Sequence, residues 1–288
     1  MDTAKALYKL TKPGIVQGNA VHVTVGALLA SRGMLDWESL LGVIAGTSFV
    51  IASACVANNY MDRGIDAHMK RTKNRPSVTG KIPFDVAMLY TATLLGVGLA
   101  VLYFFTNALV ILLGAIAYVT YVFMYGYVKR RSVHSTLVGA IPGALPAMAG
   151  YVAISGEVTV GAWLVFLLVF TWQMPHFYAI SLFRKDEYRS AKLPVLGAVK
   201  SFAFVRWTMF AYIIAYTVVI TAMIHTDVVG SSAGLLLLAG AAYWTTVFLT
   251  TNSKDQAKWA RSVFGASLLL TLGLLAAGVL NFYVPPAL

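Results

Sequence analysis

Charge is scarce in this chain. Only 11% of its 288 residues are Asp, Glu, Lys or Arg, while 59% are hydrophobic. A soluble domain is roughly a quarter charged. The shortage excludes a water-soluble globule, which could not hide so much apolar surface; the solvent that suits the chain is a bilayer. Cysteine is scarcer still. A single Cys55 excludes an intrachain disulfide and a cysteine-based metal cluster, and its place inside an apolar run marks it as an inert buried thiol. Low-complexity tracts and hydrophilic domains are also missing, so residues 1–288 read as one membrane domain.

Long hydrophobic runs are abundant. Crossing a bilayer takes about 20 helical residues, and nine runs are long enough: 14–32, 40–57, 84–105, 108–127, 136–155, 160–181, 206–225, 231–250 and 263–283. The first does not read as a cleaved signal peptide, because it carries Gly14, Asn19 and His22 and no small-residue cleavage site follows it. The net charge of +11 would suit a nucleic-acid partner, but its distribution argues against one. Under nine spans, 21 of the 22 basic residues fall on one side and only Arg32 on the other. That is the positive-inside pattern. The expectation is an all-α polytopic membrane protein of nine transmembrane helices bundled around a central cavity, in the cell membrane, with the N-terminus cytoplasmic and the C-terminus outside. The inner connections, of which 58–83 and 182–205 are the longest, hold most of the ionisable groups, as loops that carry function on a rigid scaffold tend to do. Both follow an even-numbered span and lead to a proline (Pro76, Pro194), a weak sign of two related halves.

The sharpest pattern is Asn58, Asp62 and Asp66. At i, i+4, i+8 these side chains share one face of a helix, each about 6 Å further along. Two carboxylates and a carboxamide so aligned form an oxygen-rich site suited to Mg²⁺, which takes one or two carboxylates together with substrate phosphates. Just downstream, Arg71 and Arg75 would share a face if the helix continued, and guanidinium forks bind phosphate oxygens; the plainer reading is a stop-transfer cluster at lipid headgroups. Tyr121, Tyr125 and Lys129 form a second stripe ending beside Arg130, which an aromatic belt and a basic helix end would equally produce. Asp186 and Glu187 would hold a second Mg²⁺ or pair locally with Arg184 or Arg189. His176, in Trp172-Gln173-Met174-Pro175-His176-Phe177, is an ionisable residue within a span and so a functional candidate, able to ligate or orient a haem or to serve as a hydrogen-bonded structural histidine. Pro142, Gly143, Pro146 and Gly150 point to a kinked, closely packed fifth span.

Asn58-x₃-Asp62-x₃-Asp66 is similar to the first aspartate-rich motif of the intramembrane 4-hydroxybenzoate polyprenyltransferase-like superfamily. Asp66-x₂-Met69-x-Arg71-Thr72-x₂-Arg75-Pro76, Tyr125-x₃-Lys129-Arg130, Trp172-Gln173-x-Pro175-His176-Phe177 and Asp186-Glu187-Tyr188 with Pro194-Val195-Leu196 resemble, more narrowly, the protohaem IX farnesyltransferase (haem O synthase) family. The likeness runs from Thr11-Lys12-Pro13-Gly14 through the eighth loop; Glu187 departs from it, where the family often has Asp. The resemblance implies farnesyl diphosphate and haem B as substrates, with haem B not a cofactor. It implies Mg²⁺ on Asn58, Asp62, Asp66, Asp186 and Glu187, and Lys129, Arg130, Arg71 and Arg75 around the diphosphate. Tyr121, Tyr125 and His176 would line the substrate cavity. Downstream partners would be haem A synthase or a terminal-oxidase assembly. Prenylation of another aromatic acceptor, such as a quinone precursor, is the alternative within the superfamily. A cation-coupled transporter is the alternative outside it, and would place its charges near the bilayer midplane.

Overall fold

The computed structural model describes residues 2–286, and among them every regular element is helical. In hydrocarbon each backbone N–H and C=O must find its partner within the chain, which a helix accomplishes locally. A short helix α1 (Thr3–Leu10) precedes α2 (Pro13–Ala30) and α3 (Trp37–Met61), and α4 (Arg63–Asp66) follows at once. After α5 (Phe84–Phe105), α6 (Ala108–Val119), a π-helical stretch Thr120–Tyr125 and α7 (Gly126–Val128) form one rod, Ala108–Val128. Then come α8 (Ser135–Ser155), α9 (Val160–Phe183), the short α10 (Lys185–Ser190) and α11 (Leu196–Val199), and finally α12 (Phe202–His225), α13 (Ser231–Thr250) and α14 (Gln256–Tyr283). Eight of these rods are long and apolar enough to cross a membrane. The other expected span corresponds to α2, which Gln17, Asn19 and His22 make less apolar than the rest.

Several helices start where an oxygen-bearing side chain caps a free N–H: Asp36 accepts from Glu38, Asn107 from Val110, Thr159 from Ala162 and Asp255 from Lys258. Some helices overrun the apolar segments. Residues 58–61, expected in a loop, complete α3; α12 begins at Phe202 rather than 206, and α14 at Gln256 rather than 263. Hydropathy marks only the part of a helix that lies in lipid, and polar turns at its ends continue the same hydrogen-bond ladder.

Two crossings fix the interior. A Cβ at Gly26 would collide with the Ala147 carbonyl, and one at Gly150 with that of Val23, so α2 and α8 touch backbone to backbone. Small residues permit such close approach in membrane bundles. Gly98 likewise lies against Gly46, tying α5 to α3. The buried indoles are all satisfied: Trp172, Trp244 and Trp259 donate to the carbonyls of Ser267, Val263 and Phe248, each at 3.0 Å. Large apolar side chains such as Leu89, Phe104 and Trp207 point outward. That is the arrangement of a multi-pass membrane protein.

Candidate functional site

The site is built where α3 ends. Asn58 sits on its last turn, and Asp62 is both the cap of α3 and the residue before α4. The Asp62 N–H donates to Asn58 O at 3.0 Å and the Asp66 N–H to Asp62 O at 2.9 Å. The expected i, i+4, i+8 register therefore survives the junction, and both carboxylates are 5% exposed. Buried carboxylates need opposite charge or donors. Lys129, just past α7, donates to Asp62, and Arg130 stands 3.6 Å from its other oxygen while also bonding the Met61 carbonyl. Arg75 pairs with Asp66. Among the described residues, one oxygen of Asp62, Oδ1, is nevertheless buried without a hydrogen-bond donor, and the amide nitrogen of Asn58 is buried without an acceptor.

Lys12, which the motif spacing did not mark out, belongs here. Its ammonium donates to Asn58 Oδ1 at 3.0 Å, and the backbone reaches this position through a left-handed residue, φ 52° and ψ 66°, before Pro13. Lys12, Tyr121, Tyr125 and Lys129 are all half-buried. Burial lowers the Lys12 ammonium below the ordinary lysine range, with Cys55 and Asp62 opposing and Arg75 adding to the shift. Lys129 is lowered for the same reason, again against Asp62. The signal for Lys12 in the sequence was Thr11-Lys12-Pro13-Gly14: a proline at the first helical position, with the lysine forced to turn inward.

Tyr121 and Tyr125 stack, with centroids 5.7 Å apart and planes at 15°, and Lys129 lies 5.2 Å from the Tyr125 ring centre. They sit on the π-helical stretch, a local widening often found at functional sites, which α-helical spacing could not foretell. Cys55 is buried as expected.

Arg71 and Arg75 do not share a helical face. Beyond Asp66 the chain folds as successive turns, with the Thr72 hydroxyl donating to Asp66 O at 2.9 Å, and only Arg75 turns in to the carboxylates. Arg71 is exposed, and its charge acts on Tyr188 of α10. Asp186 is exposed as well, whereas Glu187 accepts from Arg184 at 3.4 Å and leaves Oε2 buried and unpartnered among the described residues. Among the described residues no three His, Cys, Asp or Glu side chains gather closely enough to hold one ion, so the two acidic pairs stand apart.

His176 is buried on α9. Its Nδ1 pairs with Ser267 Oγ at 2.7 Å, and its ring stacks on Trp172 at 4.9 Å and lies 4.7 Å from Phe264. Trp172 in turn meets the edge of His22, 5.3 Å away.

An all-helical membrane bundle that gathers carboxylates and cations at the ends of its helices is suited to a phosphate-bearing lipid. Residues 20–272 match the UbiA prenyltransferase family, and the chain belongs to it. It is 40% identical over 285 residues to the Protoheme IX farnesyltransferase of Shigella flexneri, covering 98% of this chain and 96% of that one. It is 39% identical over 281 residues to Protoheme IX farnesyltransferase 2 of Shewanella sp. strain ANA-3, covering 96% and 91%. Its fold is that of a UbiA homolog from Archaeoglobus fulgidus bound to GPP and Mg2+, with a TM-score of 0.74 at 15% identity, 96% of this chain and 99% of that chain being covered.

Proposed function

We propose that this chain transfers a farnesyl group from farnesyl diphosphate to a vinyl group of haem B, with addition of water, releasing diphosphate and forming haem O. The observation that carries the diphosphate half is the clustering of Lys129, Arg130 and Arg75 on Asp62 and Asp66, with Lys12 alongside. The choice of haem rests on the near full-length identity to proteins named for protohaem IX.

The residues present fit Mg²⁺. They offer oxygen ligands only, and Asp62 Oδ1 is buried without a protein donor, which suits a hard cation. Asp62 and Asp66 would hold the ion, with Asn58 beside them, and Asp186 and Glu187 would serve a second. Bound there, Mg²⁺ supplies Lewis-acid neutralisation of the leaving diphosphate. Lys12, Lys129, Arg75 and Arg130 bind that diphosphate and stabilise the charge developing on it as the C1–O bond breaks and its electron pair departs. Tyr121 and Tyr125, with the enclosing helices, hold water away from the allylic cation. C1 then bonds to the terminal vinyl carbon, the positive charge passes to the inner vinyl carbon, and a water oxygen adds there with loss of a proton.

All nine long helices span the membrane in this reading, with the N-terminus and the Asp62 end of the bundle cytoplasmic, as the basic residues require. Purified protein given Mg²⁺, farnesyl diphosphate and a panel of acceptors should form haem O from haem B. Asp62→Asn should lower turnover more than about 100-fold, beyond what losing a supporting residue costs. Prenylation of a quinone precursor but not of haem B would sink the acceptor; full turnover of the Asp62 variant would sink the metal site.

A further inference from the structure

Among the described residues, Arg206 has no carboxylate partner. It sits one turn into α12, half-buried, and belongs to none of the ion pairs. Its guanidinium lies instead 5.6 Å from the centre of the Phe248 ring and 5.7 Å from that of Trp259. Those rings are held in place. Both are buried, they meet edge to face at 5.0 Å, and the Trp259 indole donates to the Phe248 carbonyl at 3.0 Å. They join the end of α13 to the start of α14, so Arg206 stands over the junction of those two helices. Contact with rings uses the charge of a guanidinium but none of its five N–H donors.

A groove of about 270 Å³ opens on the same three helices, lined by Tyr216 of α12, Leu236, Gly240 and Tyr243 of α13, and Leu269 and Gly273 of α14. The smaller ligand clefts of proteins are of that size, about 300 Å³. Tyr216 is buried at its inner side, whereas Leu236, Tyr243 and Leu269 are exposed at its edges. Two glycines leave the space: a Cβ at Gly273 would meet nothing within 4 Å, and one at Gly240 only Leu270 at 3.8 Å. The groove lies deeper in the bundle than Arg206. Gly240 is eight residues along α13 from Phe248, about 12 Å at the helical rise, and Leu269 is ten along α14 from Trp259, about 15 Å. Lys258, Ser262, Leu269 and Gly273 follow one another at i, i+4, i+11 and i+15, one face of α14, so an exposed lysine heads the groove as well.

A guanidinium with free donors binds phosphate oxygens bidentately, and basic pockets between transmembrane helices receive anionic lipid head groups. An apolar groove leading from such a cation into the hydrocarbon adds a place for a chain. Free phosphate would use the cations only, and a zwitterionic lipid would bring its own positive charge against them. We propose that Arg206, with Lys258, binds the phosphate of an anionic phospholipid, one acyl chain of which fills the groove between α13 and α14. The site stands apart from the diphosphate cluster: none of Lys12, Asp62, Asp66, Arg75, Lys129 and Arg130 lies on α12, α13 or α14.

The test is a lipid titration of the delipidated full chain in detergent. With dioleoyl phosphatidylglycerol the melting temperature should rise with lipid concentration, as for any ligand of the folded state, and native mass spectrometry should show the lipid retained on the chain. Arg206→Gln should weaken that binding about tenfold or more, the cost of losing hydrogen bonds to a charged group. Gly273→Phe fills the groove and leaves every basic residue in place, and it should weaken binding as well. Both variants should melt like wild type before lipid is added, which shows that they are folded. Wild type should bind dioleoyl phosphatidylcholine about tenfold or more less tightly than phosphatidylglycerol, and glycerol phosphate, which lacks the chains, more weakly still. Equal affinity for phosphatidylcholine, unchanged phosphatidylglycerol binding in both variants, or glycerol phosphate held as tightly as the lipid overturns the site.

Discussion

Asp62 is surrounded by cations to a degree its neighbours are not. Lys129 and Arg130 approach its two oxygens, and Lys12 lies one residue away through Asn58. A carboxylate that only steadied a helix end would not need so many. In the proposed mechanism Lys129 faces the departing diphosphate as well as Asp62, so its charge matters most when the C1–O bond is breaking. Lys129→Met should therefore lower kcat by about 10²–10³-fold, the usual cost of removing one donor aimed at developing charge, with a smaller change in KM. Steady-state kinetics with haem B and farnesyl diphosphate would show this; a rise in KM at constant kcat would mean that Lys129 only binds substrate. At this scale the sequence was most legible where side chains come from a single helix. Asn58, Asp62 and Asp66 could be read from spacing alone. Lys12 could not, because one left-handed residue decides whether a lysine ahead of a span faces lipid headgroups or the interior.

Among the elements, the π-helical stretch Thr120–Tyr125 is the one whose geometry sets the site. It lies between a regular α6 and the short α7, and so fixes the angle at which Lys129 and Arg130 leave the rod. Each residue of an α-helix turns the chain about 100°. Deleting Phe123, whose side chain faces outward, should let the rod close into a plain α-helix and swing Lys129 away from Asp62. The deletion variant is expected to remain folded, with a helical circular dichroism spectrum like that of wild type, and to lose turnover as severely as Lys129→Met. Wild-type activity after the deletion would show that the widened turn is incidental. The same stretch explains why the tyrosine stripe could be located in the sequence but its stacking could not. Local spacing is a helical property, whereas a π-turn depends on what packs beside it. Arg71 and Arg75 failed for a related reason: a face shared by i and i+4 exists only where a helix continues, and beyond Asp66 the chain turns back so that Thr72 bonds the Asp66 carbonyl.

For the whole molecule, apolar runs located the long helices well because lipid imposes one solution on every spanning segment. α2 is less apolar than the others because it carries Gln17, Asn19 and His22. The proposed cytoplasmic end of the bundle, read from the basic residues, can be checked directly. With Cys55 replaced by Ala, single cysteines at Lys192 and Gly156, both exposed on connecting segments, should react with a membrane-impermeant maleimide from opposite sides of sealed vesicles. Lys192 should be labelled from the cytoplasmic side and Gly156 from the other. Labelling of both from one side would remove a span from the proposed topology.

The left-handed turn at Lys12 has a consequence for how stable this protein is. A side chain at φ 52° holds its backbone in a region that glycine occupies freely and other residues enter at a cost on the order of 1 kcal/mol. Lys12 adds the desolvation of an ammonium to that strain. Lys12→Gly should thus give a chain that melts at a higher temperature and turns over substrate far more slowly, the opposite of what damage to a membrane bundle usually produces. Differential scanning fluorimetry and turnover measured on the same preparation would settle it, a lower melting temperature being the refuting result. Rigidity given up at one backbone position in exchange for reactivity is a trade-off that selection for activity maintains, and selection for thermal endurance alone would be expected to discard it.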